Sequence, residues 1–168
     1  MQNFKKISPE NFDFNIFTLL NKDWALITTE KPRGGYNTMT ASWGGAGILW
    51  NKPVAFIFIR PQRYTYELTE QDENFTLSFL DNSYRDKLSF CGRVSGRDTD
   101  KIAECGFTAV PADGGAFIGE AKVAITCRKL YFGDILKSGF IDKALLSNYE
   151  NDDYHRMYIG EITGIYTK

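Results

Sequence analysis

The chain has 168 residues, a formal net charge of -1 and a sequence pI near 5.9. Hydrophobic residues at 43% against 24% charged exclude a disordered chain, and the length suits one domain, residues 1–168, that buries roughly 70% of its unfolded surface. The near-neutral balance excludes the basic face that duplex nucleic acid or an anionic membrane needs, so neither is expected as a partner. The first ten residues contain no continuous apolar segment, and no apolar run approaches the ~20 residues of a membrane span. A soluble, cytoplasmic protein without a leader is therefore expected. Cys91, Cys105 and Cys127 are scattered and His155 is the single histidine, which predicts neither a disulfide framework nor a metal site.

In chain order, Phe14–Leu20 predicts a short helix with Phe14, Phe17 and Leu20 three apart. Trp24–Thr29 reads as a strand, Lys31–Gly35 as a turn, and Thr38–Trp43 as the next strand. The glycines of Gly44–Gly47 predict a loop. Val54–Ile59 is continuously apolar, which predicts a strand covered on both faces and stopped by Pro61. Tyr64–Gln71 predicts a helix with Thr65 as its N-cap candidate. A strand over Asn74–Leu80 and two short helices, Tyr84–Cys91 and Asp100–Cys105, follow. Phe107–Val110 and Ala116–Ile118 flank the hairpin signal Asp113-Gly114-Gly115. Strands over Lys122–Arg128, with Val123, Ile125 and Cys127 on one side, and over Met157–Tyr166 complete the chain. Many strands, small helices and no βαβ rhythm predict a mainly β chain: an antiparallel barrel with helical insertions.

Three segments carry ligand chemistry. On a strand, Thr38, Thr40 and Ser42 share one face, and Met39, Ala41 and Trp43 the other. Three hydroxyls in register fit donation to ligand oxygens, although a solvated edge strand shows the same pattern. Arg60 ends an apolar strand and Arg63-Tyr64-Thr65 opens a helix, so two guanidiniums and a helix N-terminus are available to a phosphate. The alternative is a capped helix with two surface arginines. Ser95, Arg97 and Lys101 lie in a glycine-containing loop with Gly92 and Gly96, as ligand donors or as a solvated loop ahead of a helix. A cation there would favour a reduced, anionic ring by Coulomb attraction. No Gly-x-Gly-x-x-Gly, phosphate-binding Lys-Ser/Thr loop or Gly-x-Ser-x-Gly elbow is present, so no Rossmann dinucleotide site, nucleotide loop or serine nucleophile is expected.

Asn37–Trp43, Trp50-Asn51-Lys52-Pro53, Arg60–Thr65, Asn74-Phe75, and Ser95–Asp98 with Asp100-Lys101 occur in an order that resembles the flavin reductase-like, FMN-binding family, including flavoredoxin-like members. The resemblance runs from about Trp24 to the C-terminus. It implies a split β-barrel and an oxidoreductase that passes hydride from NADH or NADPH to FMN, or to FAD, and delivers electrons to an unspecified acceptor. It implies that Thr38, Met39, Thr40, Ala41, Ser42 and Trp43 line the ring and ribityl chain. Arg60, Arg63, Tyr64 and Thr65 would hold the phosphate, and Ser95 and Lys101 would close over the cofactor. It also implies a homodimer with flavin near the interface. Asp153–Ile162 resembles the family's closing strand, where a histidine can lie near the nicotinamide or flavin, so His155 is a candidate, with an edge residue as the alternative. A flavoredoxin-like carrier reduced by a protein donor shares every one of these residues. A non-catalytic ligand-binding barrel is the remaining alternative.

Overall fold

The structure, a computed structural model, describes residues 3–168; Met1 and Gln2, at the start of the segment searched for a leader, lie outside the described residues. The ten strands among the described residues are β1 (Lys5–Ile7), β2 (Ala25–Glu30), β3 (Tyr36–Ala41), β4 (Gly44–Leu49), β5 (Lys52–Ile59), β6 (Asn74–Phe79), β7 (Ala109–Ala112), β8 (Gly115–Ile118), β9 (Val123–Asp134) and β10 (Arg156–Thr167). The α-helices are α1 (Ile16–Thr18), α2 (Tyr64–Gln71), α3 (Arg85–Arg93) and α4 (Lys101–Glu104). No helix among the described residues is long and apolar enough to cross a membrane.

Eight strands form one antiparallel sheet in the order β3-β2-β6-β9-β10-β5-β4, with β1 added to β10. All eight contribute to one core, from Ile7 and Ile27 through Met39, Ala46, Ile57, Phe75 and Ile125 to Tyr158. The sheet is therefore rolled around that core rather than laid flat. Its two edges, β3 and β4, are consecutive in the chain and do not pair, so the barrel is split along the seam that Ser42 and Trp43 cross. β10 bends to serve two neighbours: Arg156–Glu161 pair with β5 and Ile165–Thr167 with β1. Register shifts at Ile159/Gly160 and Ile162/Gly164 supply the bends. Gly160 is required there, because a Cβ would sit 2.8 Å from both Cys127 Cβ and the Phe75 ring.

A second core lies outside the barrel. Leu26, on the opposite face of β2 from Ile27, packs with Leu88 and Cys91 of α3, Cys105, Phe107 and Ile118. β2 is thus covered on both faces. The sequence placed that covering on Val54–Ile59, but Phe56 and Phe58 on its outer face are only half-buried, because no helix packs over them. The glycine-rich Gly44–Gly47, expected as a loop, is the first part of β4, paired to β5 from Gly44↔Ile57 to Leu49↔Lys52. Its glycines are used in the strand: a Cβ at Gly45 would overlap the Phe56 ring. Trp50 and Asn51, both at positive φ (52° and 57°), make the two-residue turn into β5.

The predicted helix over Phe14–Leu20 begins at Ile16, with Asn15 as N-cap accepting from the N–H groups of Phe17 and Thr18, and runs on into a wide turn over Leu19–Asp23. α2 has its predicted limits, but its N-cap is Arg63; Thr65 lies inside the first turn and is buried. β9 continues six residues' worth of strand beyond its expected end at Arg128, to Asp134, by pairing with β10 alone. β7 and β8 form a separate hairpin closed by Asp113 and Gly114.

Candidate functional site

The seam positions the first set of predicted residues. β3 pairs only with β2, so its outer edge carries backbone donors and acceptors with no strand opposite. Where β3 ends, Met39, Thr40, Ala41, Ser42 and Trp43 wall a cavity of about 220 Å³, together with Phe58, Arg60, Arg63 and His155. Met39 also reaches the core, so it forms a floor rather than a rim. Trp43 is 45% exposed at the mouth, its ring 5.0 Å from that of His155. Thr38, Thr40 and Ser42 do share a face, but for Thr38 that face is the barrel's outside, where its hydroxyl is bonded back to β2. The Thr38 hydroxyl donates to Ile27 O at 3.1 Å and contacts the Thr28 hydroxyl, and it lines no part of the cavity. The Thr40 hydroxyl donates to Leu88 O of α3. Ser42 keeps a hydroxyl free of protein partners among the described residues.

A second recess of about 160 Å³ lies beside the first, with Arg63 in both walls. It is lined by Tyr64 and Thr65 at the start of α2 and by Ser95, Gly96 and Lys101. The first N–H groups of an eight-residue helix, with their partial positive charge, are therefore on this side. Arg63 Nη2 donates to Gly92 O at 2.7 Å and Lys101 Nζ to Cys91 O at 3.0 Å, so both cations cap the end of α3. Those bonds use one donor of five in Arg63 and one of three in Lys101. Neither has a carboxylate within 4.0 Å among the described residues. Lys101 is 4% exposed. Burial pulls its pKa down to about 8, and burial together with Arg60 lowers that of Arg63. A buried lysine and a half-buried arginine, neither with a compensating carboxylate, fit a phosphate, whose oxygens match the unused donors.

The recess is shaped by close packing. Asn37 Nδ2 donates to the Thr65 hydroxyl at 2.9 Å, and a Cβ on Gly96 would overlap the Asn37 side chain. Ser95 accepts from the N–H of Arg97 at 3.2 Å. Arg97 itself pairs with Glu67 and lies over the Tyr64 ring, so it braces the outside.

Arg60 is not in this recess. It lies in the larger cavity, where it pairs with Asp153 at 2.5 Å and donates to Asn148 O at 2.8 Å. It thus ties the strap between β9 and β10 to the site, with its charge balanced. His155, just before β10, is 9% exposed rather than at a free edge. Its Nδ1 lies 3.0 Å from the Tyr149 hydroxyl. Burial, with Arg60, pushes its pKa down to about 4, against an opposing pull from Asp153, so the ring is neutral at pH 7.

The structure gathers every predicted site residue except Thr38 around these two adjoining spaces. Phe58, Gly96 and Tyr149 were not predicted as site residues. Phe58 was hidden in an apolar run, although its alternation with Ile57 and Ile59 was a usable signal; Tyr149 carries none. Cys91 in α3 and Cys105 at the C-cap of α4 have sulfurs 3.7 Å apart as free thiols.

A model of the flavin reductase-like domain matches residues 19–168. An uncharacterized protein of Aeropyrum pernix is 28% identical over 145 residues, covering 84% of this chain; the chain spans about half of that relative's length, 48%. Among solved structures, flavoredoxin of Desulfovibrio vulgaris (Miyazaki F) superposes with a TM-score of 0.69 at 21% identity, over 96% of this chain and 77% of that one. An FMN-binding protein from Thermus thermophilus with bound p-hydroxybenzaldehyde gives 0.67 at 18% identity, over 96% and 78%. The styrene monooxygenase flavin reductase of Pseudomonas putida S12 gives 0.63 at 20% identity, over 85% and 77%. At such identities the structural likeness speaks for the fold, the split antiparallel barrel described above. The family match spans most of the sequence, and the chain belongs to the flavin reductase-like domain family.

Proposed function

We propose that this chain binds FMN along the β3–β4 seam, with the phosphate between Arg63 and Lys101, and acts as an NAD(P)H-dependent flavin oxidoreductase. The observation that carries this reading is buried Lys101 beside half-buried Arg63, both without a carboxylate partner among the described residues, next to a cavity walled by Trp43 and Phe58. When bound, FMN supplies the redox chemistry, accepting a hydride from NADH or NADPH and passing electrons to an acceptor. The residues of the chain bind and orient. Arg63, Lys101, Ser95 and the start of α2 hold the phosphate. The Ser42 hydroxyl and the unpaired β3 edge offer hydrogen bonds to ring and ribityl oxygens. Met39, Ala41, Trp43 and Phe58 would exclude water from the bound group and orient it, and such alignment is a large part of what hydride transfer needs.

A flavoredoxin-like carrier, reduced by a protein instead of a nicotinamide, is the second reading, favoured by the likeness to flavoredoxin. We assign the working form as a homodimer. Trp50 (55% exposed) in the β4–β5 turn and Tyr131 (50%) on β9, with rings 6.2 Å apart, leave exposed aromatic surface that a second copy would cover. Three buried free thiols fit the reducing cytoplasm. The direct test of the cofactor assignment is replacement of Arg63 and Thr65 together by Ala. Loss of FMN with riboflavin binding retained supports the phosphate position. Full yellow occupancy in the double variant would sink it.

A further inference from the structure

Tyr149 is an anomaly in its segment. It closes the 3-10 stretch Lys143–Tyr149, where Asn148 and Glu150 on either side are exposed, yet it is itself 6% exposed. Its ring stacks on Tyr154 with centroids 4.7 Å apart, and the Arg60 guanidinium lies 5.2 Å above it. Among the described residues its hydroxyl has a single hydrogen-bond partner, Nδ1 of His155 at 3.0 Å.

That contact can run in two directions, and the chemistry separates them. If Nδ1–H donated to the phenol oxygen, the phenolic hydrogen would need an acceptor of its own. None lies in reach among the described residues, and an unpaired buried donor is costly. If the phenol donates, one bond satisfies both groups. A pyridine-type imidazole nitrogen is also a far better base than a phenol oxygen, and the phenol the better acid. The bond made by one ring nitrogen decides which nitrogen carries the proton. The other nitrogen, Nε2, has no hydrogen bond to protein among the described residues, and it is not one of the sealed-off, unpaired polar atoms. It is therefore open to the cavity that His155 lines with Trp43 and Phe58.

We propose that Tyr149 is a positioning residue that donates to Nδ1 of His155 and holds the neutral ring with its only proton on Nε2, so that the cavity presents one N–H donor to a carbonyl oxygen on a planar ligand. The ligand contact rests on the flavin oxidoreductase reading above, where the carboxamide-bearing nicotinamide ring is such a ligand; the tautomer does not depend on it. The strap thereby acts on the cavity through one bond, and Arg60, paired to Asp153 and Asn148, holds the strap in place for it.

Because His155 is the only histidine, nitrogen NMR of protein labelled with 15N-histidine reads one ring without ambiguity. In the wild type at pH 7 the expected signals are pyridine-type for Nδ1 and pyrrole-type for Nε2. Tyr149→Phe should give an averaged pair, because nothing then selects a tautomer. It should also raise the pH at which the ring protonates, in the unchanged company of Arg60 and Asp153. A KM for the nicotinamide donor raised about tenfold, with kcat and FMN affinity within about twofold, is expected from the loss of one well-placed hydrogen bond. A purely structural tyrosine would leave the nitrogen signals alone. A wild-type proton on Nδ1 overturns the proposal even if the variant does not fold, and so do unchanged signals in a folded Tyr149→Phe. An altered tautomer with an unchanged KM removes the ligand contact only. Failure of the wild type to bind FMN removes the flavin reading and leaves the tautomer result standing.

Discussion

Replacing Lys101 by Met keeps most of the buried stem and removes the ammonium. In the unliganded protein the charge has only Cys91 O as a partner, and burial takes its pKa from 10.5 to about 8. That drop corresponds to on the order of 3 kcal/mol held against the folded state wherever Lys101 is charged. Its sign follows from the lowered value: the cost is full below about pH 8 and disappears as pH rises toward 10.5, because the unfolded chain binds the extra proton across that window. The unliganded wild type therefore gains stability between those limits, while Lys101→Met does not. Losing the bond to Cys91 O subtracts about 1 kcal/mol, so the variant should be about 2 kcal/mol more stable at pH 7. A phosphate reverses the balance. A hydrogen bond to a charged group contributes about 1.5–3 kcal/mol, so FMN should bind about 10- to 100-fold more weakly to the variant, with riboflavin unchanged. Wild-type affinity for FMN should also fall by up to about tenfold per pH unit above 8, since binding requires the protonated amine. Of the groups facing Lys101, Arg63 stays charged and the Cys91 thiol is pushed up to about 12, so neither changes protonation in this window. Urea denaturation and flavin titrations between pH 6.5 and 9.5 read both halves. Unaltered FMN affinity in the variant, or equal losses for FMN and riboflavin, would refute the reasoning.

Three further outcomes follow from the packing. Gly96→Ala should drive the loop off Asn37, breaking its bond to Thr65 and weakening FMN at least about tenfold by titration, while costing about 1–3 kcal/mol of stability. Gly160→Ala places a methyl against Cys127 and Phe75 at the β10 bulge. It should lower stability by about 1–3 kcal/mol in denaturant without changing flavin affinity in the folded fraction. Trp50→Glu combined with Tyr131→Glu, whose rings meet at 6.2 Å on the exposed face, should convert a dimer to a monomer in light scattering; a dimer that persists would place the interface elsewhere.

How much could be read from the chain depended on whether side chains report their surroundings. Ala25 to Thr29 and the helix Tyr64–Gln71 were legible because apolar spacing and flanking turns agree. Gly44–Gly47 was misread because glycines show no alternation, although Gly45 is there to let the Phe56 ring lie across the strand. The strand beyond Arg128 carries exposed Tyr131 and Phe132 and pairs on one side only, so its pattern is not that of a core strand. For the site, Met39 to Trp43 and Arg63 to Lys101 were visible as local groups. That Thr38 bonds back to β2 while Ser42 lines a cavity could not be, since both are hydroxyls on one strand face. The Arg60–Asp153 pair and the Tyr149–His155 bond join segments through a strap with no periodicity, and only the folded chain shows them.

The central claim is tested most directly by an anaerobic absorbance spectrum of the protein loaded with FMN, recorded before and after addition of NADH and then of NADPH. Rapid bleaching of the flavin bands by one of the two is the predicted result, and it identifies the donor. Bands that persist with both nucleotides yet fall with dithionite would contradict the reductase assignment and leave the protein-reduced carrier in its place.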